Sequence, residues 1–179
     1  STPLDWAAIQ DWMCEAHLLA KTGLSIAEHQ RRTVESLVTL RSLDPEIPWT
    51  PVLQGWHGED YLRHVDAYAA AGFDLRDETI VGVGSVCRRQ ATKGLEPILR
   101  RLNLLRLRLH GFGVKQTGLL SAGQWLESAD SLAWSFTARR TPIRLDTHTH
   151  LNCANCLEYA LLWRGELLRR ISDNVPSCA

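Results

Sequence analysis

The sequence predicts an α/β fold, a parallel sheet of the (β/α)8 TIM-barrel type present as its C-terminal portion, with a small metal-binding lobe at the end. Three observations carry this expectation. Short apolar runs alternate with longer stretches of helical periodicity through short loops, the pattern of consecutive βα units. The apolar runs close on polar or glycine residues (Gln10-Asp11, Gln54-Gly55, Gly84-Ser85, Gly113 to Lys115), where a parallel barrel places its active site. A full barrel takes about 250 residues, so a chain of 179 residues with five expected strands reads as the later part of one. The rival, a doubly wound open sheet, lacks its glycine-rich phosphate fingerprint here.

The elements follow in order. Leu4 to Met13 contains an apolar run ending at Gln10-Asp11. Ser25 caps a helix in which Ile26, His29, Val34, Leu37 and Leu40 recur at helical spacing, with Glu28 at the capping-box position and Pro45 and Pro48 past its end. Trp49 to Leu53 reads as a buried strand, and Glu59 to Ala71 as a helix stopped by Gly72. Ile80 to Gly84 is the next strand, Leu95 to Leu105 the next helix, and Arg106 to Gly113 the strand after it. Leu119 to Glu127 is expected as a short helix, Ala129 to Phe136 as a fifth strand and Leu157 to Ile171 as the final helix. This divides the chain into a partial barrel, residues 1–140, and a metal-binding segment with its helix, residues 141–179.

Composition sets limits. With 45% apolar residues the chain can bury a full core, a composition that favours folding over disorder. Zero formal net charge removes bulk attraction to nucleic acid and leaves only local basic patches, at Arg88-Arg89, Arg100-Arg101, Arg106 with Arg108, and Arg139-Arg140 with Arg144. No apolar run reaches the length of a membrane span, and Ser1 to Asp5 lacks the basic and apolar regions of a signal peptide. Five cysteines, two of them in a close pair, suit a reducing cytoplasm better than a disulfide scaffold. The absent initiator methionine suggests that Ser1 is not the natural start.

The most local chemical signal is His148-x-His150-x2-Cys153-x2-Cys156, four donors within nine residues. Their number and type are those of a tetrahedral zinc site, for which the two histidines need a bend to face one ion. Asp146 and Cys178 are spare donors. The competing reading, a redox Cys-x2-Cys beside two surface histidines, has no thioredoxin-like pattern around it.

Other candidates lie at strand ends. Asp11 offers a carboxylate able to accept paired hydrogen bonds from an amidine-like edge such as that of guanine, or else a helix cap. Gln54 can donate and accept against a flat heterocycle while Gly55 permits close approach; the alternative is a loop clamp. Gly84 and Ser85 offer backbone amides, and Lys115 a phosphate contact or a solvated cation. Asp130 could act as a carboxylate nucleophile in glycosyl transfer, or cap a strand. His17, His29, His57 and His64 read as structural or surface residues, whereas Trp56 and Trp134 sit where a base could stack.

Taken in order, six segments resemble the tRNA-guanine transglycosylase superfamily, and most closely its branch of deazapurine DNA-modification proteins. They are Gln10 to Glu15, Pro51 to Trp56, Val81 to Gln90, His110 to Lys115, Ser128 to Ser135 and the Cys153-Ala-Asn-Cys156 pair. The resemblance implies a barrel with a structural zinc lobe. It also implies base exchange, in which an aspartate attacks the nucleoside C1′, guanine leaves and a 7-deazaguanine derivative replaces it. On this likeness Asp130 matches the nucleophile region, Asp11, Gln54, Gly84 and Ser85 the base pocket, and Arg139 and Arg140 the polynucleotide contacts, while Gly55 and Lys115 join these two groups on their own chemistry. His148, His150, Cys153 and Cys156 would hold the zinc.

The departures are specific. In the tRNA enzymes the nucleophile lies a few residues beyond the aspartate matched by Asp130, at the position of Ala133. Leu151 stands where their first zinc cysteine is, no histidine follows Cys156, and their upstream Ser-Gly-Gly segment is absent. With no separate tRNA-binding domain visible, the reading favours DNA over tRNA as substrate. A queuine-type tRNA enzyme and a non-catalytic zinc-containing subunit that binds nucleic acid are the alternatives, with a homodimer or helper protein as possible partners.

Overall fold

The computed structural model describes residues 4–86 and 94–174. Its α/β core holds two groups of parallel strands. Strand β1 (Ala7–Ala8) pairs with β2 (Trp49–Thr50), while β3 (Val52–Leu53), β4 (Val81–Val83), β5 (Leu109–Gly111) and β6 (Ser128–Ala129) form a four-stranded sheet in that order. Pro51, which has no N–H to give to a ladder, separates β2 from β3. Within each group every strand pairs with the next in sequence, all parallel, so neither group has a point at which strand order reverses. Sequential parallel order of this kind is compatible with a barrel segment, and among the described residues the array is open.

The helices return the chain between strands. Helix α1 (Ala16–Thr22) and α2 (Ile26–Leu43) follow β1, α3 (Gly58–Ala70) follows β3, α4 (Leu95–Leu104) follows β4, and α5 (Gln116–Ala122) follows β5. A short 3₁₀ turn, Gly123–Trp125, leads into β6; then come α6 (Ala133–Arg140) and α7 (Leu157–Asn174). Helices α2, α3, α4 and α5 each touch the next, so they form one layer against one face of the sheet. That layer seals the core with Leu37, Tyr61, Tyr68, Leu99 and Leu102 over Leu53 and Val83, all fully buried.

The local signals act as expected in several places. The Ser25 hydroxyl accepts the Glu28 N–H at 3.2 Å, α2 stops at Leu43 ahead of Pro45, and Gly72, at φ +90°, takes the left-handed turn past α3. Elsewhere the sequence expectation fails. Ala129 to Phe136 is not a strand: β6 ends at Ala129 and Ala133–Arg140 is helical. An apolar run of that length fits a buried strand or one face of a helix equally well. The expected helix at Leu119 to Glu127 begins earlier, at Gln116, and its second half tightens into the 3₁₀ turn. Helix α1 had no expected counterpart, although Gly23, at φ +67°, marks its end by the αL cap. Cys87, Arg88, Arg89 and Cys178 lie outside the described residues. No described helix is long and apolar enough to cross a membrane.

Candidate functional site

Register decides which side chains meet. Val52, Gly82, His110 and Ser128 are aligned across the sheet, and Leu53, Val83, Gly111 and Ala129 form the next row. Side chains alternate along a strand, so the row beyond these, at Gln54, Gly84 and Asp130, returns to the face of Gly82 and His110, opposite the helices. Two close approaches bear this out. A Cβ on Gly82 would lie 2.4 Å from the Phe112 ring, and one on Gly84 would lie 1.9 Å from Gln54 Nε2. Glycine is required at both positions because a ring and an amide occupy the space a side chain would fill.

At the carboxyl ends of β1, β3 and β4 the structure brings Asp11, Gln54, Gly84 and Ser85 together. The backbone N–H of Cys14 donates to Ser85 Oγ at 2.8 Å, Ser85 Oγ donates to Gln54 Oε1 at 2.6 Å, and Gln54 Nε2 donates to Asp11 Oδ2. The direction of this chain is forced. Ser85 Oγ accepts the amide hydrogen of Cys14, so its own hydrogen points to Gln54, and the glutamine must then turn its NH2 toward Asp11. Asp11 is thus the acceptor on which the chain ends. Ser85 holds φ +56°, a conformation that costs a serine free energy and that places its hydroxyl in the middle of the chain.

Gln54 is also gripped from behind. Its N–H donates to His64 Nδ1 at 2.9 Å and its carbonyl accepts from Gln30 Nε2 at 2.6 Å. Tyr61 donates its hydroxyl hydrogen to the carbonyl of Gly84 at 2.8 Å. Gly55 closes against Asp60 and Tyr61, where a Cβ would meet Asp60 Cβ at 2.7 Å. Partial burial raises the Asp11 pKa above the ordinary carboxylate value, opposed by hydrogen bonds from its own backbone and from Gln54. Burial, with Asp60 and Asp11 nearby, pushes the Cys14 thiol up to about 12, so this cysteine contributes its backbone and no thiolate.

Asp130 stands apart from this chain, past the end of β6. Its side chain is 55% exposed; Oδ1 accepts the Gly113 N–H at 2.9 Å and lies 3.4 Å from His110 Nε2. Lys115 is exposed at the start of α5, and Arg139 and Arg140 are exposed in the last turn of α6. Arg139 reaches the Asn155 side chain at 3.3 Å, and the Arg140 guanidinium lies 4.3 Å over the Phe136 ring. Sequence reasoning did not single out Cys14 N–H, Tyr61, His110 or Ser128. Each works through a partner distant in sequence, and His110 alone carried a local signal, an ionisable residue inside an apolar strand.

A second cluster lies between α6 and α7. His148, His150, Cys153 and Cys156 hold their donor atoms within 4.8 Å of one another. His148 Nδ1 is 3.3 Å from His150 Nε2 and 3.4 Å from Cys156 Sγ, and His150 Nε2 is 3.1 Å from Cys153 Sγ. Zinc bonds of about 2.1 Å to nitrogen and 2.3 Å to sulfur put tetrahedral ligands about 3.3–3.8 Å apart. The four groups could therefore hold a metal ion, and their donor set is compatible with zinc. The bend that His-x-His requires is met by presenting different nitrogens, Nδ1 of His148 and Nε2 of His150. The outer nitrogen of His148 meets Glu158 Oε2 at 2.9 Å, as a ligating imidazole does, and the thiols accept backbone N–H groups of Leu145 at 3.3 Å and Tyr159 at 3.4 Å.

Comparison with curated proteins and with solved structures finds no match. A family model does match, and it spans residues 2–178, taking in the strand-end chain, Asp130 and the metal cluster together. On that match the protein belongs to the DpdA family, DeoxyPurine in DNA protein A.

Proposed function

We propose that this protein is a base-exchange transglycosylase that replaces guanine in DNA with a 7-deazaguanine derivative. The observation that carries the reading is the one-way hydrogen-bond chain from Cys14 through Ser85 and Gln54 to Asp11, at the strand ends of a chain in a DNA-deoxypurine family. Such a chain presents a fixed acceptor, Asp11, beside a fixed amide, Gln54. A purine edge that offers N–H donors next to a carbonyl is its complement. The base must leave the duplex stack to reach it, and Gly84 leaves the space in which the Gln54 amide lies.

In this reading Asp130 is the nucleophile. A carboxylate oxygen bonds to C1′ while the C1′–N9 bond breaks, and guanine departs with that electron pair and takes up a proton. The incoming deazapurine then attacks C1′ through its own ring nitrogen, releases the proton that nitrogen carried, and frees Asp130. The exchange is neutral and needs no oxidant or reductant. Lys115, Arg139 and Arg140 would meet the phosphates. Zinc, held by His148, His150, Cys153 and Cys156, would brace residues 141–179 against the catalytic part, residues 1–140, and take no part in the bond changes.

The test is incubation of the full-length protein with DNA and, separately, with tRNA, each with labelled 7-cyano-7-deazaguanine. Label entering DNA and not tRNA is the expected result. Label in tRNA alone would transfer the reading to a tRNA enzyme, and label in neither, with the fold intact, would leave a non-catalytic nucleic-acid-binding subunit.

A further inference from the structure

His110 is a buried imidazole with both nitrogens directed at partners on the strand-end face. It lies in β5 at 5% exposure, with the Trp6 ring 4.8 Å away and the Phe112 ring 4.7 Å away. Its Nδ1 is 2.8 Å from Ser128 Oγ, the residue aligned with it on β6, and its Nε2 is 3.4 Å from Asp130 Oδ1. An ionised carboxylate can only accept, so Nε2 carries the hydrogen, and in the neutral ring Nδ1 must then accept from the Ser128 hydroxyl. The Gly113 N–H donates to the same oxygen, Oδ1, at 2.9 Å.

We propose that His110 is a positioning residue which, with the Gly113 amide, ties down Oδ1 of Asp130 so that Oδ2 is the oxygen presented to the sugar. The inference rests on Asp130 being the nucleophile. Two donors on one oxygen leave lone-pair density on the other, and two aromatic walls with a hydroxyl behind hold the imidazole in place. Burial lowers the pKa of His110, although Asp130 opposes the shift, so the ring meets the carboxylate as a neutral donor and does not cancel its charge. The 3.4 Å separation is long for a hydrogen bond, and contacts of this kind shorten when substrate closes the site.

The experiment compares His110→Leu, which keeps bulk but loses the donor, with His110→Gln, whose terminal NH2 can take the place of Nε2–H. Single-turnover formation of the protein–DNA adduct on a guanine-containing oligodeoxynucleotide should slow roughly 10- to 100-fold in His110→Leu, the loss expected for a hydrogen bond to a charged group. Oligonucleotide affinity should be unchanged, and His110→Gln should recover most of the rate. Wild-type rate in His110→Leu, no recovery in His110→Gln, or a parallel loss of affinity would each overturn the proposal. A readout that needs no turnover separates its failure from that of the nucleophile assignment. Nitrogen-15 NMR of the wild-type protein should show the Nε2–H tautomer of His110, with an Nε2 resonance that moves in Asp130→Ala. An Nδ1–H tautomer, or a resonance indifferent to Asp130, overturns the contact itself. The expected tautomer together with undiminished exchange in Asp130→Asn would instead remove Asp130 as nucleophile, and the positioning role with it.

Discussion

Asp11 shows how the site and the stability of single residues pull against each other. Its pKa is raised in the folded protein, chiefly by burial. The folded state therefore binds more protons than the unfolded chain from about pH 3.8 up to the raised value, and stability falls as pH rises through that window. Asp11→Asn keeps an oxygen to accept from Gln54 and removes the buried charge. It should melt higher than the parent at neutral pH, with the difference vanishing in acid, while binding of free guanine is lost. A variant less stable at neutral pH would show that the carboxylate is better satisfied than the burial implies. His64 has the opposite signature. Burial lowers its pKa from 6.5 to about 4, which amounts to about 3 kcal/mol of stability, fully present above pH 6.5 and lost as pH falls toward 4. His64→Gln should flatten that acid limb in pH-dependent urea denaturation. At Gly84, a methyl group would overlap Gln54 Nε2, so Gly84→Ala should cost about 1–3 kcal/mol and abolish base binding through the displaced amide.

Among the elements, those whose signals are local were legible in the sequence. Helix α2 is written in Ser25, Glu28 and the prolines beyond Leu43, and Ser25→Ala should cost about 1 kcal/mol, seen as a melting temperature lower by roughly 2–4 °C. The metal cluster was legible because its four donors are consecutive in space as well as in sequence. Helix α6 was not, since Ala129 to Phe136 carries apolar residues that serve either periodicity until the neighbouring α7 packs against it, with Tyr159 beside the Trp134 ring. His110 and Ser128 belong to the same class of failure: their meaning comes from a register that no single strand encodes. If zinc braces the lobe, Cys153→Ser with Cys156→Ser should lower bound zinc and speed proteolysis between residues 141 and 156. Undiminished zinc by elemental analysis would refute the ligand set.

For the whole molecule, the sequential parallel order of β3 to β6 brings Gln54, Ser85 and Asp130 to one end of the sheet, and the β1–β2 pair brings Asp11 to Gln54, although the four are spread over about 120 residues of chain. The opposite end carries a groove lined by Phe73, Leu75, Leu105 and Leu107, with none of these polar groups. With zero net charge, the proposed DNA binding rests on local cations, Lys115, Arg139 and Arg140, so it should weaken steeply with salt, with the slope of log affinity against log salt losing about 1 per cation removed. The proposed exchange requires a carboxylate of this chain to take the sugar from guanine. The most direct measurement is to trap the protein on a guanine-containing oligodeoxynucleotide in the absence of incoming base and to map the adduct by peptide mass. The expected result is an ester on Asp130, absent in Asp130→Asn. An adduct on another residue, or none while exchange proceeds, would contradict it.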